Sequence, residues 1–310
     1  MTNLEPQDGI LPEPGPAALF LVLRVTDPAT EAKAVGKILA GIPAATAKLA
    51  ETEKGSRLVA NVGIGGAFWD ALSPERRPAG LRPFRSLEVA GRRAPATDGD
   101  VLLHVISKRP DLNLELAMRM RSELGDRVTV MDEVHGFKYR DGRDLTGFLD
   151  GTENPKGKAR AGVALIGDED AAFAGGSYVF TQRYIHDLAK WATMPVKEQE
   201  GVIGRRKSDS KELSDAVKPP TAHIARTVIE ENGEELEIVR HSFPYGTSSE
   251  HGLFFIAYCR TLDIPERILA RMIGATDDGV HDHLLEFVHA VSGAYFFAPS
   301  LRVLRRLGAS

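Results

Sequence analysis

Short unbroken apolar runs alternate along the chain with longer stretches in which apolar residues recur every three or four positions. The first run, residues 19–25 (LFLVLRV), is β-prone and carries one charge, which predicts a buried strand. An alanine-rich stretch from about 30 to 50 has helical periodicity, and residues 57–64 predict a second strand. Phe68 and Trp69 lead into a predicted loop with Asp70 and Pro74. Residues 101–107 predict a strand, 112–124 a helix and 127–131 a strand. The order is β-α-β followed by β-α-β. A similar order returns later: a strand at 177–183, a helical stretch from Trp191 to about Glu200, and strands at 236–243 and 252–258. A helix follows at 265–273 with proline in its first turn, then a helix at 281–291 and a closing strand at 295–297. The pattern predicts an α+β protein made of two ferredoxin-like (split βαβ) halves, each an antiparallel sheet with helices on one face. The predicted boundaries are a flexible Pro/Gly-rich arm at 1–16, an N-terminal half at 17–145 and a C-terminal half at 146–310.

Composition narrows the class. The 310 residues are 43% hydrophobic and 26% charged with a net charge of −4, which gives no reason to expect nucleic acid or an anionic membrane as partner. No apolar run reaches the roughly 18 residues needed to span a bilayer, and the acidic, proline-containing N-terminus lacks the basic and apolar regions of a secretion signal. The expectation is a cytoplasmic protein. The single cysteine, Cys259, excludes an internal disulfide and any multi-cysteine metal site, and its apolar neighbours predict a buried, inert thiol.

The candidate chemistry centres on Gly147-Phe148-Leu149-Asp150-Gly151-Thr152-Glu153-Asn154-Pro155. Two glycines allow a sharp turn, and Asn-Pro halts regular structure. The segment predicts a tight loop presenting the Asp150 carboxylate. Of nine histidines, His223 stands out: Pro219-Pro220 fix its approach and small residues flank it, so a bulky flat ligand could come close. His281 and His283, beside Asp277, Asp278 and Asp282, read as a solvated helix start with acids near its positive end rather than a metal site. His104 and His186 read as hydrogen-bonded structural residues. Arg240 is placed at a strand end before Phe243-Pro244-Tyr245-Gly246.

Taken together, the nonamer, Gly175-Gly176-Ser177-Tyr178-Val179, residues 182–188 (QRYIHDL), residues 222–226 (AHIAR), Arg240 with its Phe-Pro-Tyr-Gly turn, and residues 284–287 (LLEF) resemble the bacterial B-type branch of the dye-decolourising peroxidases over nearly the whole chain. The resemblance implies two ferredoxin-like halves with one haem b in the C-terminal half. It also implies a peroxidase that reduces hydrogen peroxide and oxidises dyes, phenols or similar organic reductants by one-electron steps through a ferryl intermediate. A haem-handling or porphyrin-binding role on the same fold is the alternative. Position by position, His223 matches the proximal iron ligand, Asp150 the distal carboxylate and Arg240 the distal arginine. Glu153, Asn154 and Pro155 match haem-contacting loop positions, and Arg205 a basic residue near a propionate. Glu286 stands where the family usually has an aspartate bonded to the proximal imidazole, and Ser242 where many relatives have asparagine. Homo-oligomerisation is implied. Encapsulin is not an expected partner, since the chain ends soon after Pro299 without the long tail of encapsulated relatives. Trp69, Tyr184 and Trp191 are read as packing residues rather than electron relays.

Overall fold

The computed structural model describes residues 4–97 and 99–309. Its N-terminal part contains β1 (Ala17–Val25), α1 (Pro28–Thr52), β2 (Val59–Gly65), α2 (Gly66–Leu72), a small hairpin of β3 (Leu87–Val89) and β4 (Arg92–Ala94), β5 (Val101–Ser107), α3 (Pro110–Leu124) and β6 (Val128–Phe137). Then come α4 (Ala159–Ala164), β7 (Ser177–His186), α5 (Leu188–Ala192), α6 (Val196–Ile203) and α7 (His223–Thr227). A second small hairpin, β8 (Glu230–Glu231) and β9 (Glu234–Glu235), leads to β10 (Val239–Arg240), β11 (Phe243–Gly246), β12 (His251–Cys259), α8 (Asp263–Ile273), β13 (Val288–Ala290), β14 (Ala294–Ala298) and α9 (Leu301–Ala309).

The large sheet is antiparallel throughout and runs β10-β12-β11-β6-β1-β5-β2-β14-β7-β13, with a further pairing of β12 to β7. Short β10 and β11 lie along one edge of β12, and β13 and β14 along one edge of β7. The β12–β7 pairing therefore closes eight strands into a ring. The pattern of apolar residues predicts two separate sheets; the chain joins them at two seams. Tyr245 pairs with Gly136 at one, and Phe296 and Phe297 pair with Gly65 and Ile64 at the other. Glycine is needed at both: a Cβ on Gly136 would lie 2.5 Å from Phe243 Cβ, and one on Gly65 only 2.2 Å from the Gly99 carbonyl oxygen.

Closure explains the unbroken apolar runs. In β1, Leu19, Leu21, Leu23 and Val25 face the helices, while Ala18, Phe20 and Val22 face the barrel interior, so both strand faces are buried. β12 likewise sends Phe254, Ile256 and Tyr258 inward.

Several expectations are corrected. The N-terminal arm is tied down from Gln7 onward: the Gln7 side chain is buried, donating to the carbonyls of Val62 and Pro299 and accepting from the Val62 amide, and Ile10 is fully buried. Asp70, expected in a loop, lies in α2 with Phe68 and Trp69. The strand predicted at 236–243 is interrupted between β10 and β11. The helix predicted at 281–291 is a single 3-10 turn, His283–Glu286, followed by β13. Its register is set by the Asp282 side chain, which caps the turn by accepting from the Leu284 amide at 2.9 Å. No helix among the described residues is long and apolar enough to cross a membrane.

Candidate active site

A cavity with about 1340 Å³ of free space, counted out to its open mouth, lies between the C-terminal strands of the sheet and the helices α6, α7 and α8. Its sheet wall carries Gln182, Tyr184, Leu253, Phe255, Arg240 and Ser242; its helical wall carries Ile203, His223, Leu269 and Met272. The lining is mostly apolar, and its size and character suit a large planar organic ligand.

His223 is the first residue of α7. The helix approaches closely because Gly204, which ends α6 in the left-handed conformation at φ 90°, has no Cβ; one would meet Ile224 at 2.1 Å. His223 Nδ1 lies 2.6 Å from Asp282 Oδ2, and Asp282 is fully buried. The other Asp282 oxygen holds the Leu284 amide, and the His283 amide donates to the Thr221 carbonyl, so the turn and the approach to α7 are pinned together. A carboxylate only accepts, which places the imidazole proton on Nδ1 and leaves Nε2 with a lone pair for a metal.

Asp282 thus occupies the role expected for Glu286. Glu286 is a correction: its carboxylate sits 3.7 Å from His281 and 3.7 Å from His283, half exposed, and it does not line the cavity. The reading of Asp282 as part of a solvated helix start fails for the same reason. A buried carboxylate needs partners, and Asp282 finds them in His223 and the Leu284 amide. Sequence carried a signal for it, an acid between two histidines, but the assumed helix pointed it to solvent.

Asp150 comes from the loop after β6. Gly147 and Gly151 have φ of 89° and 73°, which only glycine adopts freely. Arg143 braces the loop by donating to the carbonyls of Gly147 and Lys207, each at 2.8 Å, and the Asp150 amide donates to the Gly142 carbonyl. Asp150 Oδ1 accepts from the Gly151 amide at 2.7 Å and stands 3.8 Å from Arg240 Nη1. Arg240 is held by Asn154, whose side-chain amide donates to the Arg240 carbonyl and accepts from the Arg240 amide, both at 2.8 Å. That reciprocal pair substitutes for the strand partner that β10 lacks on this side.

Glu153 lines the cavity and is ion-paired with Arg205, which also donates to the Ser210 carbonyl; Arg205 itself is not in the lining. Asn154 and Pro155 line an adjoining, more polar cavity that shares Asp150, Arg240 and Ser242 with the first. Asp144, Gln182, Tyr184 and His186 also face the main cavity, and the sequence reading singled out none of them as site residues. The alternation along β7 could have found the last three. Tyr184 is buried with its hydroxyl bonded to Gln182 at 2.7 Å, Trp191 donates to the Thr146 carbonyl, and Trp69 is fully buried, donating to the Arg76 carbonyl. Cys259 is buried and burial pushes its thiol pKa far up, as an inert thiol requires. His104 is fully buried and bonded to Tyr258 at 2.9 Å, while His186 stands 3.7 Å from Asp144.

An imidazole backed by a buried carboxylate on a helical wall faces an apolar slot that has a carboxylate–guanidinium pair on its sheet side, an arrangement suited to the class of metallated-macrocycle enzymes. The chain belongs to the Dyp-type peroxidase family: the family's N-terminal model matches residues 7–138 and its C-terminal model residues 141–303. It is 46% identical over 292 residues to a dye-decolorizing peroxidase of Mycolicibacterium paratuberculosis, covering 93% of this chain and 82% of that protein. A variant of Rhodococcus jostii RHA1 DypB in complex with heme superposes with a TM-score of 0.93 at 41% identity, over 98% of this chain and 99% of that one. The encapsulated DyP-type peroxidase from Mycobacterium smegmatis gives 0.94 at 41% identity, over 97% and 98%. The protein is accordingly a haem-dependent peroxidase.

Proposed function

We propose that His223 would hold the iron of a haem b in the main cavity through Nε2, and that Asp150 and Arg240 form the acid–base and electrostatic pair that acts on hydrogen peroxide. The residues fit the group: Nε2 of His223 is left to coordinate, the walls are apolar, and Glu153 and Arg205 stand beside the slot where polar edges of a macrocycle need partners. When bound, the haem would supply the redox chemistry, giving electrons to peroxide and regaining them from the organic reductant.

The protein's own contribution is proton and charge handling. Asp150 Oδ1 is occupied by the Gly151 amide, so Oδ2 is the oxygen that takes the proton from one peroxide oxygen and returns it to the other. Arg240 keeps its charge at any working pH and stabilises negative charge on the departing oxygen. Its Nη1 stands 3.8 Å from Asp150 Oδ1, close enough for one peroxide or water beside the pair to touch both. Asp282 holds the His223 proton at Nδ1 and makes Nε2 a stronger donor. Ser242 offers a hydroxyl that accepts from the Ile256 amide at 3.4 Å, and it supplies no amide to this pocket.

Dyes, phenols or similar donors are the proposed reductants. The proposal includes two ferredoxin-like halves, 17–145 and 146–310, supported by the strand orders β6-β1-β5-β2 and β14-β7-β12-β11, which follow the same pattern. A cytoplasmic homo-oligomer is part of the same reading. The observation that carries the function is the meeting of the His223–Asp282 and Asp150–Arg240 pairs in one apolar slot. Haem-loaded protein should turn over peroxide with a phenolic donor. Haem binding without turnover would favour the porphyrin-handling alternative.

A further inference from the structure

One buried guanidinium joins three segments that meet beside the Asp150–Arg240 pair. Arg160, the second residue of α4, is 4% exposed. Its Nε donates to the Leu11 carbonyl and its Nη1 to the Pro155 carbonyl at 3.2 Å. Its Nη2 donates to the Pro12 carbonyl at 3.3 Å and to His241 Nε2 at 2.6 Å. A guanidinium has only donors, so the imidazole accepts. Burial lowers the Arg160 pKa, and the Glu13 carboxylate acts against that shift.

Each acceptor has a place in the site. Leu11 and Pro12 belong to the N-terminal arm, whose next residues, Glu13, Pro14 and Gly15, line the adjoining polar cavity. Pro155 ends the loop that carries Asp150. It follows Asn154, whose side chain clasps the backbone of Arg240. His241 follows Arg240 on the strand; its amide donates to the Ile256 carbonyl at 3.0 Å, and its buried ring meets Tyr258 edge-on, 5.4 Å between centroids. The guanidinium therefore holds both sides of the Asn154–Arg240 clasp, one residue beyond each member. Burying a charge is costly, and an apolar side chain of similar length would fill the same space without that cost. What Arg160 gains is reach: a planar fork meets acceptors from three separate segments, which a compact ammonium does not.

We propose that Arg160 is a positioning residue for the reaction with peroxide, fixing the loop of Asp150 against the strand of Arg240 and making the N-terminal arm part of that side of the site. The proposal rests on the roles given above to Asp150 and Arg240. Arg160 does not line the main cavity; it acts through Pro155 and His241.

Arg160→Met keeps the length of the side chain and removes every donor. In the haem-free variant, hydrogen–deuterium exchange of the Asn154 and Arg240 amides should quicken by about tenfold, while the amides of β1 and β5 keep their protection. In the haem-loaded variant, the step with peroxide should slow by about tenfold, since a misplacement of about 1 Å costs up to about a hundredfold. The following step with a phenolic donor should keep its rate. A lower melting temperature with wild-type exchange at the clasp and a wild-type rate with peroxide would make Arg160 a support of the fold alone and overturn the proposal. Should Arg160→Met not fold, Arg160→Lys is read by the same two measurements, with smaller changes in the same directions. Failure of both variants to fold also overturns the positioning role. If Arg240→Leu and Asp150→Asn themselves leave the peroxide step unchanged, the reading of that pair fails instead, and exchange in the haem-free protein still decides whether Arg160 fixes the clasp.

Discussion

At the scale of the residue, the chemistry depends on which atoms are already occupied. His223 Nδ1 is taken by Asp282, so replacing that carboxylate with a neutral amide should weaken the donor strength of Nε2 without removing it. Asp282→Asn is expected to retain haem and to shift its midpoint potential to more positive values in spectroelectrochemistry; an unchanged potential would show that the buried carboxylate does not tune the site. On the sheet side, Arg240→Leu should slow the reaction with peroxide by about a hundredfold, on the order of 3 kcal/mol. Asp150→Asn is expected to cost less, since water in the space beside Ser242 can carry protons but cannot replace a fixed charge. Stopped-flow mixing with peroxide orders the two variants, and a slower Asp150→Asn would make the carboxylate the principal catalyst. The sequence made Asp150 and His223 conspicuous because glycines or prolines close by give their segments a local structural meaning, and Arg240 through its match to the family position. Asp282 was hidden because its role depends on a turn that the helical periodicity of its neighbours conceals.

At the scale of the element, the site depends on two joints. Asn154 replaces a missing strand for Arg240, and both hydrogen bonds are backbone-to-amide. Asn154→Ala leaves those backbone groups unpaired, at about 1–3 kcal/mol each where they stay dry. It should lower the rate with peroxide while leaving haem affinity within a few-fold; equal rates for variant and wild type in the same stopped-flow assay would show that Arg240 is held by other means. Gly204 is the second joint. Gly204→Ala introduces a methyl into Ile224 at a positive φ, so it should shift α7 and weaken haem retention, read as faster haem loss to apomyoglobin. The strands and long helices were legible because apolar runs and 3.6-residue periodicity are local properties. The break between β10 and β11, and the collapse of the 281–291 helix to one turn, were not, because partners distant in sequence decide them.

At the scale of the whole molecule, the sheet that would have been two is one closed ring. Nothing local announces this, since each seam is made by one or two residue pairs and a glycine. Burial of imidazoles also predicts a pH sensitivity. His241 is held neutral with its pKa lowered to about 3, and burial lowers His104 and His186 as well. Each binds its proton more weakly folded than unfolded, where histidine titrates near about 6.5. Their stabilising contribution is therefore complete above that value and is lost as pH falls toward the folded values. The melting temperature should decline as pH drops from about 6.5 toward 4, and His241→Phe, where it folds, should flatten that decline. A melting temperature constant across that window would mean that the buried imidazoles find protons without cost.

The most direct test of the central claim is the optical spectrum of protein reconstituted with haem, titrated to saturation and then mixed with one equivalent of peroxide, in wild type and His223→Ala. The wild type should bind one haem per chain with a histidine-ligated ferric spectrum that changes within the mixing experiment. His223→Ala should fold but hold haem weakly or with altered ligation. Identical ferric and ferrous spectra in the two proteins would contradict the assignment of His223 and, with it, the site built around it.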